Sequence, residues 1–277
     1  MKIGKETGIY PGQVELKAAD FDRVRSLIDR YCGINLHEGK QALVRARLMK
    51  RIRKLGISSF GEYLDYVEND ESGEEFLSFV DVLTTNKTSF FRESQHFDFI
   101  RQKVIPQLGG RQVKWWSAGC STGEEPATLA ITLLEAFGDS HTDPVRILAT
   151  DISGEALTKA KAGVYTRSNL AGVPDSVRKR YFREIDGADE YKLADTIQKK
   201  ITYGRLNLLK QWPMKGPFQL IMCRNVMIYF KRPTQQQIVS RFYDLLEPGG
   251  YLFLGHSENL PDKGIGLTSL QPAVYQK

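Results

Sequence analysis

The residue types that could carry out chemistry are most concentrated in a short glycine-rich segment followed by acids. Residues 116–126 read WSAGCSTGEEP, directly after an apolar stretch and directly before a helical pattern. Gly119 and Gly123 allow the backbone to turn tightly and to approach a ligand closely. The spacing is not the G-x-G-x-x-G of dinucleotide-binding loops, and Glu124 and Glu125 would repel a pyrophosphate at the helix N-terminus. The segment therefore favours S-adenosylmethionine, which carries hydroxyl groups and a sulfonium charge, over NAD. A tight structural turn is the alternative.

Polar residues also end later apolar stretches. Asp151 follows residues 145–150, and an acid at the end of the second strand commonly accepts hydrogen bonds from a ribose. Asn207 and Asn225 follow two further stretches, and an amide offers the donor and acceptor that an adenine edge or an amino-acid head group requires. The alternatives are that Asp151 caps a helix and that the asparagines are turn residues.

A third polar segment, TTNKTSFFRE at residues 84–93, places Arg92 beside an aromatic pair. It lies where a helical region gives way to a region of alternating strands and helices. Joins between domains are favoured places for ligand sites, so this segment is expected to contribute to the site.

The elements that must position these residues alternate from about residue 113 onward. Strands are expected at 113–116, 145–150, 218–222 and 251–254, and helices at 126–137, 154–162 and 234–246. Strands separated by helices of this length form a parallel, doubly wound sheet, to which residues 267–275 could return as an antiparallel edge strand. Residues 178–205 break the alternation and predict two or three short strands with a turn at Asp186-Gly187. We interpret them as an inserted β-hairpin element, with an ordinary long excursion as the alternative.

The preceding region predicts a small all-helical unit of four helices. The first has Asp20 as its expected cap and ends at Gly33, and the second runs from about 39 to 54 and stops at Gly56. The third spans about 59–69 with Ser59 as a possible cap, and the fourth spans 74–83.

Composition limits the class of protein. The net charge is +6, with +7 in residues 1–56 and −8 in residues 57–81, which suits an anionic partner or else a solvated basic surface.

The three cysteines form no CxxC pair and the four histidines (His37, His96, His141 and His256) form no HExxH motif, so a reducing compartment and no metal are expected. The chain begins without an apolar signal-peptide region, and its longest apolar run, residues 218–230, is interrupted by polar residues. Secretion and membrane spanning are therefore not expected.

Four segments, in order, resemble the CheR-type chemotaxis receptor (protein-glutamate) O-methyltransferases. They are TTNKTSFFRE, WSAGCSTGEEP, the ATD at 149–151 and CRNVMIYF at 223–230. The resemblance covers nearly the whole chain. It implies an all-helical N-terminal domain at 1–81 and a class I methyltransferase-like doubly wound sheet at 82–277, with a small inserted antiparallel β-subdomain at about 178–205.

The resemblance also implies an activity. It is methyl transfer from S-adenosylmethionine to glutamate side chains on the cytoplasmic helices of membrane chemoreceptors, with S-adenosylhomocysteine as the product. Carried over by motif, the cofactor residues are Asn86, Thr88, Arg92, Glu124, Asp151, Asn207, Leu208, Asn225 and Val226. Arg92 and Tyr229 are candidates for holding the acceptor carboxylate, and the choice between them stays open.

Receptor binding is expected at two places. On the second helix, Leu48, Ile52 and Leu55 form the expected buried face, and a basic stripe lies on another flank. The stripe consists of Arg47, Lys50, Arg51 and Lys54, and we expect it to dock a glutamate-rich receptor helix; a solvated face is the alternative. The β-subdomain anchors a receptor's C-terminal peptide in some members of the family and not in others, and here this is undecided.

Two other functions are considered. The pI of about 9.1 would suit a nucleic-acid methyltransferase, but the strand ending in CRNVMIYF lacks the Pro-Pro loop of amino-methylating enzymes, and neither Cys120 nor Cys223 lies in a Pro-Cys loop. The other alternative is a non-enzymatic S-adenosylmethionine sensor. We expect a cytoplasmic monomer that is recruited to receptor arrays, without nucleic acid or membrane insertion.

Overall fold

The computed structural model describes residues 14–138, 145–260 and 265–277. His141 and the first residues of the chain, both considered above, lie outside these ranges. The chain forms two compact units, Met1–Thr85 and Asn86–Lys277, whose boundary lies close to the one expected after residue 81. No helix in the described ranges is long and apolar enough to cross a lipid bilayer.

The amino-terminal unit is built from helices, as its apolar spacing predicts. They are α1 (Ala18–Cys32), α2 (Gln41–Leu55), α3 (Phe60–Glu68) and α4 (Glu74–Leu83), with a 3-10 turn at Glu38–Lys40 before α2. Gly33 and Gly56 end α1 and α2 in the left-handed conformation that glycine adopts at low cost. The Ser59 hydroxyl accepts a hydrogen bond from the Glu62 N–H at 3.2 Å and caps α3. These expected helix ends are confirmed.

Two expectations for this unit are wrong. The residue before α1 is Lys17, so Asp20 is not the cap and lies in the first turn, where its charge still favours the helix N-terminus. Leu55 is 36% exposed, because it is the last residue of α2 and no further turn of this helix lies beside it. Val44 and Met49 complete the buried face of α2 instead.

The carboxy-terminal unit alternates strands and helices in the expected order. Its helices are α5 (Gln95–Phe99, continued by π and 3-10 turns to Gln107), α6 (Glu124–Phe137), α7 (Gly154–Ala162), α8 (Asp175–Tyr181), α9 (Asp195–Gln198) and α10 (Arg232–Leu245). Its strands are β1 (Val113–Ala118), β2 (Val145–Asp151), β3 (Val164–Thr166), β4 (Phe182–Glu184), β5 (Glu190–Leu193), β6 (Ile201–Arg205), β7 (Phe218–Cys223), β8 (Leu246–Leu254), β9 (Thr268–Gln271) and β10 (Val274–Gln276).

The large sheet has the order β6-β2-β1-β7-β8-β10-β9. Its first five strands run parallel to one another, β10 runs antiparallel to β8, and β9 runs antiparallel to β10, which confirms the doubly wound architecture. Successive side chains of β1 point to opposite faces: Trp115 packs in one core cluster with Leu129 of α6, and Trp116 in the other with Phe242 of α10. Because helices pack against both faces, a ligand site is expected at the carboxyl ends of the parallel strands.

The small sheet is not formed by the strands that the sequence predicted for the insert. The strand at 201–205 pairs in parallel with β2, for example Ile201 with Ile147, and so belongs to the large sheet. The small sheet has the order β3-β5-β4 and takes its third strand, β3, from residues 164–166, before the expected insert. A three-residue strand carries too little alternation to be recognised from sequence. The turn at Asp186-Gly187 between β4 and β5 is confirmed, with Gly187 at a φ of +75°.

The carboxy-terminal edge is a hairpin rather than the single expected strand. Strands β9 and β10 pair antiparallel, and Ala273 between them adopts a φ of +62°. β8 begins at Leu246, earlier than expected, because an irregularity in its pairing with β7 accommodates Pro248 and the following glycines.

Candidate functional site

The glycine-rich loop after β1 is held against β2 by its own backbone. The N–H groups of Gly119 and Cys120 both donate to the Thr150 carbonyl, at 2.7 and 2.9 Å. Gly119 has a φ of +91°, and a Cβ at this position would overlap the Val226 side chain. Gly123 has a φ of +96°, and a Cβ there would lie 2.9 Å from that of Ala160. Glycine is therefore required at both positions, and the loop packs directly against the segment after β7.

Asp151, the last residue of β2, is buried and anchored by two backbone donors. Its Oδ2 accepts from the Ser121 N–H at 2.7 Å and its Oδ1 from the Ser153 N–H at 2.9 Å. Ser153, and not Asp151, caps α7, because its hydroxyl accepts from the Ala156 N–H at 3.1 Å. A carboxylate can accept several hydrogen bonds, and this property suits ligand hydroxyl groups.

Asn86 lies against the same two loops. Its amide donates to the Ser153 hydroxyl at 3.4 Å, and its carbonyl accepts from the Ser121 hydroxyl at 2.9 Å. Thr88, two residues later, is half-buried. The start of the carboxy-terminal unit thus joins the ends of β1 and β2.

The segment after β6 reaches the same edge. The Leu206 N–H donates to the Asp151 carbonyl at 2.9 Å, so the segment that carries Asn207 and Leu208 begins beside the end of β2. Asn207 is half-buried and its Oδ1 accepts from the Leu209 N–H at 2.9 Å, and Leu208 is buried.

Two acids at the start of α6 are buried. The Glu124 carboxylate accepts from the Thr122 hydroxyl at 2.6 Å, and that of Glu125 from the Ser117 hydroxyl at 2.7 Å. Burial raises the pKa of both groups. Because they are enclosed and acidic, this helix N-terminus offers no place for a phosphate.

Arg224, directly after β7, ties three segments together. Its side chain is 2% exposed and forms ion pairs with Glu93 at 3.1 Å and Glu125 at 3.2 Å. It also donates to the Arg92 carbonyl. The Arg92 guanidinium itself is half-buried and donates to the Lys87 carbonyl at 2.9 Å. One buried guanidinium therefore fixes the backbone that carries Arg92.

Strained backbone concentrates at these segments. Five described residues other than glycine have a positive φ, and four of them lie here: Phe91, Glu93, Ser121 and Asn225. Each such conformation costs roughly 1–3 kcal/mol and persists only where the surroundings enforce it. Phe91 and Glu93 flank Arg92, and the bonds of Arg224 to this segment are the enforcing contacts.

Glu258, after β8, plays the same part for the loop after β7. Its carboxylate accepts from the N–H groups of Gly255 (2.6 Å), Asn225 (2.8 Å) and Ile228 (3.1 Å). Burial raises the pKa of Glu258, and these N–H groups oppose that rise. The carboxylate thereby fixes the loop that carries Asn225, Val226 and Tyr229, of which the last is half-buried.

The expected cofactor residues therefore lie on five segments. Hydrogen bonds and packing join these segments at the carboxyl ends of the parallel strands. Glu93, Arg224 and Glu258 were not predicted from the sequence to be site residues. Arg224 and Glu258 each come just after a parallel strand, and the rule that singled out Asp151 could have found them. Arg224 contacts a residue 132 positions away, and Glu258 contacts a residue 33 positions away. Contacts over such separations leave no local signal in the sequence.

The four docking candidates on α2 divide into two pairs. Arg51 forms an ion pair with the buried Glu75, and Arg47 donates to the Leu83 and Thr84 carbonyls at 2.8 and 2.9 Å, which caps α4. Lys50 and Lys54 are exposed. Two of the four cations thus act within the helical unit, and two face solvent.

Comparisons with known proteins agree over both units. The "CheR methyltransferase, all-alpha domain" family matches residues 19–84, and the "CheR methyltransferase, SAM binding domain" family matches residues 86–273. A probable chemotaxis protein methyltransferase of Rhizobium etli is 43% identical over 235 residues, covering 82% of this chain and 88% of its own length.

Two further relatives match across nearly their whole length. The chemotaxis protein methyltransferase of Escherichia coli is 41% identical over 252 residues (89% of this chain, 86% of the relative). Chemotaxis protein methyltransferase 2 of Pseudomonas aeruginosa is 41% identical over 260 residues (92% of both chains). The chain therefore belongs to the CheR family of S-adenosylmethionine-binding chemotaxis protein methyltransferases.

Proposed function

We propose that this chain methylates glutamate side-chain carboxylates on the cytoplasmic helices of membrane chemoreceptors, forming glutamate methyl esters in chemotaxis adaptation. The observation that carries this is the edge of the sheet where Asp151 and several amides meet an enclosed acidic helix start. This donor set suits a nucleoside with hydroxyl groups, an amino-acid group and no phosphate. Membership of the CheR family supplies the receptor context.

We assign the cofactor site to the residues named from the sequence. Asp151 would accept the ribose hydroxyl groups, and Asn207 with Leu208 would meet the adenine. The remaining members are Asn86, Thr88, Arg92, Glu124, Asn225 and Val226. S-Adenosylmethionine, when bound, supplies a methyl group that its sulfonium has already activated.

The acceptor needs no general base. A glutamate side chain has a pKa near ~4.3 and is already ionised at neutral pH. A bound S-adenosylmethionine would supply the methyl group with a neutral thioether as its leaving group, so no proton would have to be removed from the acceptor. The protein must therefore position and desolvate the carboxylate, which can contribute roughly 7–11 kcal/mol, and no metal is required.

Arg92 and Tyr229 are the candidates for orienting that carboxylate. A full ion pair with Arg92 would stabilise the ground state and so oppose the reaction, whereas a neutral hydrogen bond from Tyr229 costs less. Comparing Arg92→Lys with Tyr229→Phe in kcat and in cofactor affinity separates the two, since only Arg92 is also assigned to the cofactor.

The decisive experiment measures transfer of labelled methyl groups to four acceptors: a receptor cytoplasmic fragment, the same fragment with its candidate glutamates replaced by alanine, tRNA and DNA. We expect label only on the first, released as methanol by mild alkali, because esters hydrolyse and methylated amines do not. Label on nucleic acid would support the alternative enzyme. Cofactor binding without any transfer would support the sensor.

Receptor engagement is proposed at both predicted places. Lys50 and Lys54 present the solvent-facing charge of α2 to a glutamate-rich helix, and recruitment from the cytoplasm to receptor arrays follows from that substrate. Strands β3 and β4 each pair only with β5 among the described strands, which leaves edges suited to strand addition by a receptor's C-terminal peptide. Deleting that peptide should raise the receptor KM; unchanged kinetics would remove the tether. We propose the monomer as the active unit, which sedimentation can test.

A further inference from the structure

Two side chains three positions apart, Glu93 and His96, meet the distant His256 beside the Arg224 network. Glu93, His96 and His256 each offer one ligand atom, and these atoms lie within 4.8 Å of one another. Glu93 Oε2 is 3.6 Å from His96 Nδ1 and 4.0 Å from His256 Nε2. A tetrahedral zinc ion with bonds of about 2.0–2.2 Å holds its ligands roughly 3.3–3.6 Å apart, so small movements complete the geometry.

His96 is the most unusual member of the cluster. Its side chain is 0% exposed, and neither ring nitrogen has a hydrogen-bond partner within the described part of the chain. The contact with Glu93 at 3.6 Å is too long for a hydrogen bond. An unsatisfied buried polar group costs about 1–3 kcal/mol, so His96 carries a penalty that a ligand would relieve. Burial lowers its pKa to about 3, which keeps the imidazole neutral and its lone pair available.

Charges of both signs lie beside the cluster. Glu93 and Glu125 both form ion pairs with Arg224, and Glu93 supplies the negative charge within the cluster itself. Arg224 competes for the same oxygen of Glu93, but it keeps Glu125 and the Arg92 carbonyl when that oxygen is withdrawn.

His256 is the most exposed member of the cluster. Its side chain is 42% exposed and lines an open cavity of about 740 Å³ together with Gln95, Asp98 and Lys103. An ion that arrives from this cavity would meet His256 first, and water can fill the remaining coordination position. His256 can also shift toward the other two ligands because its ring faces solvent.

We propose that Glu93, His96 and His256 form a binding site for a late first-row divalent ion of the zinc class. Two imidazoles and one carboxylate are the donor set these ions prefer, and the site differs from an oxygen-only magnesium site. Its consequence rests on the proposed function: the ion draws Glu93 away from Arg224 and so removes bonds that join the segment carrying Arg92 to the segment carrying Asn225. Occupancy therefore lowers cofactor affinity and inhibits methyl transfer.

The test uses Co²⁺ as a spectroscopic probe of the intact protein, with Zn²⁺ as competitor. We expect visible absorption bands of nitrogen-coordinated cobalt at one ion per chain, abolished by stoichiometric Zn²⁺ and not by excess Mg²⁺. His256→Gln should weaken binding by more than the roughly 10–100-fold typical of losing an outer-shell partner. His37→Gln removes an exposed histidine of the other unit and should bind Co²⁺ as the parent does.

Equal cobalt spectra and affinities for His256→Gln and the parent would overturn the site, as would the absence of any band at millimolar Co²⁺. The melting temperature of each variant shows that it is folded. Calorimetry of S-adenosylhomocysteine with and without Zn²⁺ then tests the consequence. Failure of that ligand to bind the metal-free protein would count against the proposed function and leave the cobalt result standing.

Discussion

Buried charged side chains hold the candidate site at the scale of single residues. Asp151, Arg224 and Glu258 each follow a parallel strand and each fix the backbone of another segment. Their partners are mostly backbone N–H and carbonyl groups, so their loss would move a loop as well as remove a charge. Substitutions at these positions therefore need a stability measurement beside every binding measurement.

Asp151→Ala should weaken S-adenosylhomocysteine binding by about ten- to hundredfold, since hydrogen bonds to the ribose contribute roughly 1–3 kcal/mol. Calorimetry measures the affinity. Asp189→Ala, which removes an exposed acid of the small sheet, is the matched control and should leave affinity unchanged. Unchanged affinity in Asp151→Ala would exclude this carboxylate from the cofactor site.

The buried neutral His96 should make stability depend on pH. Burial lowers its pKa from 6.5 to about 3, so the unfolded chain binds the proton and the folded chain does not between these values. The contribution of His96 is fully present above pH 6.5 and is lost as pH falls toward 3. Its slope approaches about 1.4 kcal/mol per pH unit. Urea unfolding of His96→Phe, which cannot titrate there, should show a shallower decline by that amount; parallel curves would contradict the assignment.

At the scale of elements, helix α2 carries both cations that stabilise the helical unit and cations that face solvent. Arg51 and Arg47 face inward to Glu75 and the end of α4, while Lys50 and Lys54 on the same helix face solvent. Substituting the whole stripe would therefore mix loss of stability with loss of receptor binding.

Arg51→Ala should destabilise the helical unit by roughly 2–4 kcal/mol, because it leaves the Glu75 carboxylate buried beside Tyr63 without its cation. Lys50→Ala on the same helix should change the free energy of unfolding by less than about 0.5 kcal/mol. Urea unfolding compares the two. Equal effects would mean that the Arg51–Glu75 pair is not a structural contact.

Glu258→Gln should disorder the loop after β7, because its amide group cannot accept all three backbone N–H groups that the carboxylate accepts. We expect a loss of roughly 1–3 kcal/mol in stability and weaker S-adenosylhomocysteine binding. Glu190→Gln, at an exposed position of β5, is the control. Full retention of both properties in Glu258→Gln would show that the loop is held by other contacts.

At the scale of the whole molecule, the two units divide the proposed work. All nine expected cofactor residues lie in Asn86–Lys277, and the solvent-facing cations of α2 lie in Met1–Thr85. Cofactor binding and receptor docking should therefore be separable by mutation.

The double variant Lys50→Ala/Lys54→Ala should raise the receptor KM at low salt and leave S-adenosylhomocysteine affinity unchanged. The difference from the parent should shrink as salt rises, since the Debye length is about 8 Å at physiological ionic strength. Lys159→Ala/Lys161→Ala removes the same charge from the exposed face of α7 and controls for net charge. If the docking variant and the parent have equal kinetics at low salt, these lysines do not dock the receptor and only help to keep the protein in solution.

The sequence alone determined the features that local patterns encode. Apolar periodicity marked α1 to α4 and the parallel strands, glycine and serine marked helix ends, and strand-terminal polar residues such as Asp151 predicted where a ligand site would lie. These signals are legible because each depends on residues a few positions apart. The family motifs added the cofactor and the reaction class.

Only the tertiary structure decided which of these residues hold one another. Strand β6 pairs in the large sheet and strand β3 in the small one. Arg51 forms an ion pair with Glu75, although it belongs to the same predicted basic stripe as the exposed Lys50 and Lys54. No predicted motif contains the Glu93–His96–His256 cluster, because Glu93 and His96, which are three positions apart, meet a histidine more than 150 positions later in the chain. Such contacts arise from strand order and from the choice of partner for a buried charge, and neither leaves a period or spacing in the chain.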